Sequence, residues 1–209
     1  MTERRLFLLG IALAGALYLT TASGVVTWSH YGEDGPELEG AARTLGIAHP
    51  PGYPLFTSAA RLIGLIVPVP WSAVNALTLL AALVAVGATG VLTRRVLERA
   101  GVDRPWLGAI ATMTFFAVSP SWWKQASIGE VYTLHMAIVV TGFLLLVRGS
   151  ARDVLLAAYV FGLGVAHHPL TLPALGVALA YLLARRQRLR LLHLAVLCLP
   201  LTLYAVLFV

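Results

Sequence analysis

Apolar residues in this chain come in long blocks rather than in strict alternation. Leu6–Trp28 and Trp71–Thr93 are long enough to cross a bilayer as helices, which takes roughly 20 residues and about 17 at the short end. Trp106–Pro120, Val131–Val147, Val154–Ala166, Leu170–Ala184 and Leu191–Val209 are further blocks of the same character. Between the first two long blocks lies a polar stretch, 31–53, with the carboxylates Glu33, Asp34, Glu37 and Glu39. Leu55–Pro70 is apolar but contains Arg61, Pro68 and Pro70, which suits an interfacial or re-entrant helix better than a span. The pattern predicts an all-α fold over residues 1–209, a polytopic transmembrane bundle of about seven spans. Its first loop, which holds juxtamembrane helices, is expected to be extracytoplasmic.

Composition agrees with the blocks. Apolar residues are 59% of the chain and charged residues 11%, against about 45–50% and about 25% in soluble domains. This excludes a soluble enzyme, a disordered chain and a disulfide scaffold. The single cysteine, Cys198, allows no intrachain disulfide. The net charge of +6 does not point to nucleic acid, because the basic residues cluster between apolar blocks. Arg4/Arg5, Arg94/Arg95/Arg99/Arg104, Arg148/Arg152 and Arg185/Arg186/Arg188/Arg190 hold twelve of the fifteen. With the N-terminus in the cytoplasm and Leu55–Pro70 not crossing, all four clusters fall on the cytoplasmic side, as positive charge does in membrane proteins. The five tryptophans, Trp28, Trp71, Trp106, Trp122 and Trp123, fall at block ends and read as an interfacial aromatic belt. Retention of the first block as a span is expected, with a cleaved leader ending near Gly24 as the alternative.

The same topology gathers the polar chemistry on the outer side. Three loops, 29–54, 119–135 and 166–169, carry His30, Glu33, Asp34, Glu37, Glu39, His49, Glu130, His135, His167 and His168. One shared site and three unrelated hydrophilic loops explain this equally well, although ionisable groups near a membrane are usually functional. In the first loop, Pro36 suits a helix first turn, and Leu38, Ala41, Ala42 and Leu45 form an i, i+3, i+4, i+7 stripe. Gly46 is placed to end this surface helix. Asp34 then sits just before its N-terminus and Glu37 in its first turn, where anions are favoured. His49-Pro50-Pro51-Gly52-Tyr53-Pro54 is a stiff turn that aims His49 and Tyr53, or a plain connector back to the membrane. The second loop, Ser119 to His135, is dense in groups that bind sugars or phosphate. Glu130 and His135 are about 140° apart on a helix, and no metal-ligand spacing is present, so no metal is assigned. Gly-rich phosphate loops and nucleophile elbows are absent from the sequence.

Two stretches resemble a known family. Asp34-Gly35-Pro36-Glu37-Leu38 followed by Leu45-Gly46-Ile47-Ala48-His49-Pro50-Pro51-Gly52-Tyr53-Pro54-Leu55 is one; Ser119-Pro120, Trp123, Glu130-Val131-Tyr132 and His135 are the other. They are similar to a membrane family of uncharacterised domains related to protein O-mannosyltransferases, within the GT-C glycosyltransferase superfamily. The resemblance covers roughly residues 20–175. It implies an inverting enzyme that moves a sugar, mannose for instance, from a polyprenyl-phosphate donor to an extracytoplasmic hydroxyl of a protein or glycan. It needs membrane lipid around it and no cofactor. By motif match the catalytic carboxylate is Asp34, which would take the acceptor proton. Lys124, Arg61 and His49 are the candidate cations for the leaving phosphate. Glu37, Tyr53, Glu130, Tyr132, His135, His167 and His168 are the candidates for sugar or acceptor contacts.

The sequence also departs from the family. Gly35-Pro36 stands where the family usually has Ser-Gly between its acidic residues. Seven spans are fewer than GT-C enzymes usually have, and the chain stops inside an apolar block. A truncated fragment, a degenerate copy and a subunit completed by a partner chain are the open readings of that end. A bacterial plasma membrane is the expected location, and a non-catalytic transporter or lipid-binding assembly subunit is the competing function.

Overall fold

The computed structural model describes residues 2–25, 34–68 and 72–208, and among these all regular structure is helical. The helices are α1 (Glu3–Thr21), α2 (Gly35–Thr44), α3 (Pro54–Gly64), α4 (Ala73–Arg99), α5 (Pro105–Val118), α6 (Pro120–Ser127), α7 (Tyr132–Arg148), α8 (Ala151–His167), α9 (Thr171–Ala184) and α10 (Leu191–Cys198). A 3-10 segment, Leu199–Phe208, follows. Helix α4 is the centre of the bundle, with α1, α5 and α7 packed around it and α8 beyond α7. Its small residues Ala81, Ala82 and Ala85 are buried with Ala14, Ala117, Ala126 and Ala137 of the neighbouring helices. Small side chains at helix crossings let backbones approach closely, which is how apolar helices gain contact without a water-driven force.

Among the described residues, α1 and α4 are long and apolar enough to cross a membrane. The number rises to three if α6 and α7, which meet at a bend of 117°, form one broken span. Helices α5, α9 and the segment 191–207 are apolar but shorter. The apolar blocks thus locate the helices, while block length overstates several of them. Among the described residues of the first block the helix ends at Thr21, and the last block is a helix of 8 residues followed by 3-10 turns. Within the described residues 55–68 the helix is the short α3.

Two further expectations change. The helix stop after α2 is Leu45, in the left-handed region at φ 58°, and not Gly46. Leu45 leaves the apolar stripe at that point and is exposed, while Leu38, Ala41 and Ala42 remain buried. Trp122 does not belong to an interfacial belt: it is buried and stacked on Phe116 with centroids 4.4 Å apart. Trp123 points its indole N–H at Thr21 Oγ1, 2.8 Å away. Trp28, His30, Glu33 and Trp71 lie outside the described residues.

The bundle has two chemically different ends. At one, Arg94 bridges Glu3 and Glu98 at 3.4 and 2.7 Å, tying the start of α1 to the end of α4. Arg99 donates to the Arg148 carbonyl, and Arg148 pairs with Asp153 at 3.4 Å, which brings in the end of α7 and the start of α8. At the other end lie α2, α3, the start of α4, the α6–α7 bend and the end of α8. A 27-residue helix such as α4 separates the two by about 40 Å at 1.5 Å per residue.

Candidate functional site

The site is built from α2 upward. Leu38, Ala41 and Ala42 of α2 pack with Tyr53, Phe56 and Ala60 around α3, with Val74 and Leu77 of α4, and with Val131. Full burial of a side chain such as Leu38 or Phe56 contributes about 1.5–3 kcal/mol. Glu39 then fixes the register. Its Oε2 accepts from Ser72 Oγ and from the Val74 amide, both at 2.9 Å, and its Oε1 accepts from the Ala73 amide at 3.4 Å and from Arg43 Nε at 2.6 Å. The first amides of α4 have no partner within their own helix and sit at its positive end, so a carboxylate is favoured there.

A second clamp joins α2 to the α6–α7 bend. Gly35 and Gly129 meet backbone to backbone: a Cβ on Gly35 would lie 3.1 Å from the Gly129 carbonyl oxygen, and one on Gly129 would lie 3.3 Å from Gly35 Cα. A Cβ at 35 would press on the Gly129 carbonyl by a few tenths of an ångström, so the close approach favours glycine there. The bend is held to α4 by Thr78, whose hydroxyl donates to the Glu130 carbonyl at 3.1 Å and accepts from the Glu130 amide at 3.3 Å.

These clamps set two carboxylates and an imidazole side by side. Asp34 precedes the first turn of α2, and its side chain makes no capping hydrogen bond to the helix. Glu37, one turn on, accepts from the His49 amide at 2.6 Å and faces His49 Nδ1 at 2.9 Å. The other ring nitrogen, Nε2, lies 3.8 Å from Asp34 Oδ2. The Glu37 carboxyl is held below its ordinary range chiefly by the hydrogen bond from the His49 ring. His49 is fixed by a turn in which Gly52 N–H donates to the His49 carbonyl at 2.8 Å, with Gly52 at φ 88° and the Pro50–Pro51 bond cis. A side chain at 52 would be strained by that φ and would strike Leu207.

Tyr53 links this group to the histidines of α7 and α8. It is buried at φ 44°, a left-handed backbone that costs a non-glycine residue about 1–2 kcal/mol. Its ring meets His49 edge-on at 5.1 Å and stacks on His168 at 6.1 Å. Burial raises the Tyr53 phenol pKa, and the negative charges of Asp34, Glu130 and Glu37 push it further. Tyr132 and His135 lie 5.6 and 5.5 Å from His168 by ring centroid. His168 Nδ1 accepts from the Leu170 amide at 3.1 Å, and burial lowers the ring's pKa, so it stands neutral with its proton on Nε2. His167 is fully buried beneath, stacked on Phe56 and donating from Nε2 to the Val131 carbonyl at 3.0 Å. His135 Nδ1 faces Thr171 Oγ1 at 3.3 Å.

The structure therefore brings Asp34, Glu37, His49, Tyr53, Tyr132, His135, His167 and His168 into one chain of contacts, with Glu130 at its edge. Two other candidates stand apart from it in role. Arg61 donates to the Ala42 and Arg43 carbonyls at the far end of α2, at 3.3 and 2.9 Å. Lys124 is exposed on α6, the helix before the bend. Among the described residues, no group of three or more His, Cys, Asp or Glu side chains is arranged to hold a metal ion. The position of Glu39 under α4 is missed by sequence reasoning. Ser72 could be read as an N-cap, since its hydroxyl accepts from the Asn75 amide, but nothing in the spacing pairs it with Glu39. Carboxylates, imidazoles and phenols in this proximity suit a ligand rich in hydroxyl groups.

Comparison with known proteins adds to this geometry. Residues 34–191 match the family described as the protein O-mannosyl-transferase TMEM260 N-terminal domain. A stretch of 108 residues is 35% identical to the protein O-mannosyl-transferase TMEM260 of Mus musculus, and it covers 52% of this chain and 15% of that relative. No solved structure matches the chain.

Proposed function

The chain belongs to the family of the protein O-mannosyl-transferase TMEM260 N-terminal domain, and we propose that it is an inverting membrane glycosyltransferase of the GT-C type. Its donor is a polyprenyl-phosphate-linked sugar, with mannose as the first sugar to test, and its acceptor is a hydroxyl of a protein or glycan. The arginine-rich end of the bundle faces the cytoplasm, the α2 end faces outward, and about seven helical segments span the membrane. The membrane is the plasma membrane of a bacterium.

The observation that carries this reading is the place of Asp34. Its carboxylate is a third exposed, lies opposite His49, and presses electrostatically on Tyr53 in the adjoining wall of rings. A base must lie within reach of the proton it removes, and Asp34 is a carboxylate at the open edge of a cluster suited to hydroxyl groups. In the proposed step the acceptor oxygen attacks the anomeric carbon and gives its proton to Asp34. The bond from that carbon to the lipid phosphate oxygen breaks on the opposite face, and the electron pair leaves with the phosphate. Tyr132, His135 and His168 hold sugar or acceptor hydroxyls, and Lys124 is the side chain proposed to meet the phosphate charge.

The test is incubation of membranes containing the chain with radiolabelled polyprenyl-phosphate sugars, with membranes lacking it as control. Label appearing in protein or glycan only when the chain is present is the expected result. Lipid flipping or solute transport by proteoliposomes without any transfer would overturn the reading in favour of a transporter.

A further inference from the structure

The His49 ring has a carboxylate at each nitrogen. Glu37 Oε2 is 2.9 Å from Nδ1, and Asp34 Oδ2 is 3.8 Å from Nε2. The Glu37 carboxylate also accepts from the His49 main-chain amide at 2.6 Å, so ring and backbone are gripped together. An ionised carboxylate only accepts, which places a proton on Nδ1 and turns Nε2 toward Asp34. Among the described residues, an aromatic and carboxylate-bearing wall faces this pair. Tyr53 lies edge-on to the His49 ring at 5.1 Å, and its phenol is flanked by Tyr132, Glu130 and His168. Leu207 closes the turn at Gly52 from the 3-10 segment.

We propose that His49 is the proton store of the site, oriented by Glu37 to relieve Asp34 of the proton that the acceptor hydroxyl gives up. This rests on the glycosyl-transfer reading above. The acceptor O–H proton passes to Asp34 as the new carbon–oxygen bond forms and the sugar–phosphate bond breaks. Rotation of the Asp34 side chain closes the 3.8 Å gap to hydrogen-bond distance, and the proton moves from Asp34 Oδ2 to His49 Nε2, leaving Asp34 ionised and His49 an imidazolium between two carboxylates. After product departs, the imidazolium returns its proton to water and the base is reset. A carboxylate alone would hold the acceptor's proton next to the new glycosidic oxygen, where it favours the reverse reaction. An oriented imidazole removes it to the far side of the carboxyl group. Glu37 acts through His49 and is a positioning residue.

The experiment compares the full-length chain with Glu37→Gln, His49→Gln, the Glu37→Gln/His49→Gln double variant and Asp34→Asn, each in membranes with labelled donor across pH 5–9. Expected for Glu37→Gln and for His49→Gln is a 10- to 100-fold fall in kcat with less than a threefold change in donor KM, and a displaced acidic limb of the kcat profile; Asp34→Asn is expected to lose at least about 100-fold. The double variant is expected to be no worse than the more damaged single one, because residues acting as a unit are not additive. Glu37→Gln keeps an oxygen for the Nδ1 proton and leaves the turn in place, so thermal midpoints in detergent near wild type accompany the kinetic loss. Wild-type kcat and pH profile in His49→Gln would overturn the store, as would losses that multiply in the double variant. Retained transfer by Asp34→Asn would instead sink the glycosyl-transfer reading itself, whatever His49 does.

Discussion

Glu39 and Val74 are 35 residues apart in sequence, and the Val74 amide donates to Glu39 Oε2 at 2.9 Å. That bond, with those from Ser72 and Ala73, is why the helix carrying Asp34 sits on the head of α4. Leaving such buried donors unpaired costs about 1–3 kcal/mol, more where charge is involved. Glu39→Ala is therefore expected to lower the thermal midpoint of the purified protein by several degrees, and Glu39→Gln by less. Scanning fluorimetry in detergent measures both. Midpoints equal to wild type would show that α2 is held by its apolar face alone.

The contact between Gly35 and Gly129 makes a second prediction. A Cβ on Gly129 would lie 2.6 Å from Asn75 Oδ1 and 2.9 Å from Val74 Cγ1, too close without displacement. Overpacking of this kind typically costs 1–3 kcal/mol, so Gly129→Ala should destabilise the protein by about that much. It should also move α2 relative to the α6–α7 bend. Gly40→Ala, inside α2 with nothing within 4 Å of the added carbon, is the matched control and should melt at or slightly above wild type. Equal melting of the two variants would contradict the close approach.

How far the sequence foretells this arrangement differs from residue to residue. Leu38, Ala41 and Ala42 announce α2 because their spacing is a property of one helix. The end of that helix falls one residue earlier than Gly46 suggests, because Leu45 itself takes the left-handed backbone. His49 and Tyr53 were legible because prolines restrict the turn between them locally. The grip of Glu39 on α4 and the seat of Trp122 were not, because both depend on which helix arrives from elsewhere in the chain. The same limit affects the spans: hydropathy marks apolar helices such as α5 and α9, but their lengths are set by turns at Ser119 and Arg185.

Glu37 gives the pH dependence a definite sign. Its carboxyl is held below the ordinary value of 4.5, first by the His49 ring hydrogen bond, so the folded state binds that proton less tightly than the unfolded chain. The stabilisation is complete above the unfolded value and is lost as pH falls through the folded one. Glu37 is nearly half exposed, which keeps the effect small. The gap in thermal midpoint between wild type and Glu37→Gln should be small, present at neutral pH, and should shrink as pH falls below the ordinary carboxyl value of 4.5. A gap that widens on acidification would contradict the assignment.

The proposed orientation is tested by labelling. In a Cys198→Ser background, Ser121→Cys lies at the start of α6 and Asp103→Cys just before α5, both exposed. A membrane-impermeant maleimide added to intact spheroplasts should modify the first and spare the second until the membrane is opened. The reverse pattern would put the site in the cytoplasm.

The claim on which the rest depends is that Asp34 removes the acceptor proton. Its most direct measurement is the single-turnover rate of sugar transfer from a labelled polyprenyl-phosphate donor by Asp34→Asn, in membranes where expression and thermal midpoint match wild type. A general base contributes roughly 10²–10⁴-fold, so transfer should fall by at least two orders of magnitude while donor binding persists. A rate within a few-fold of wild type would contradict the account.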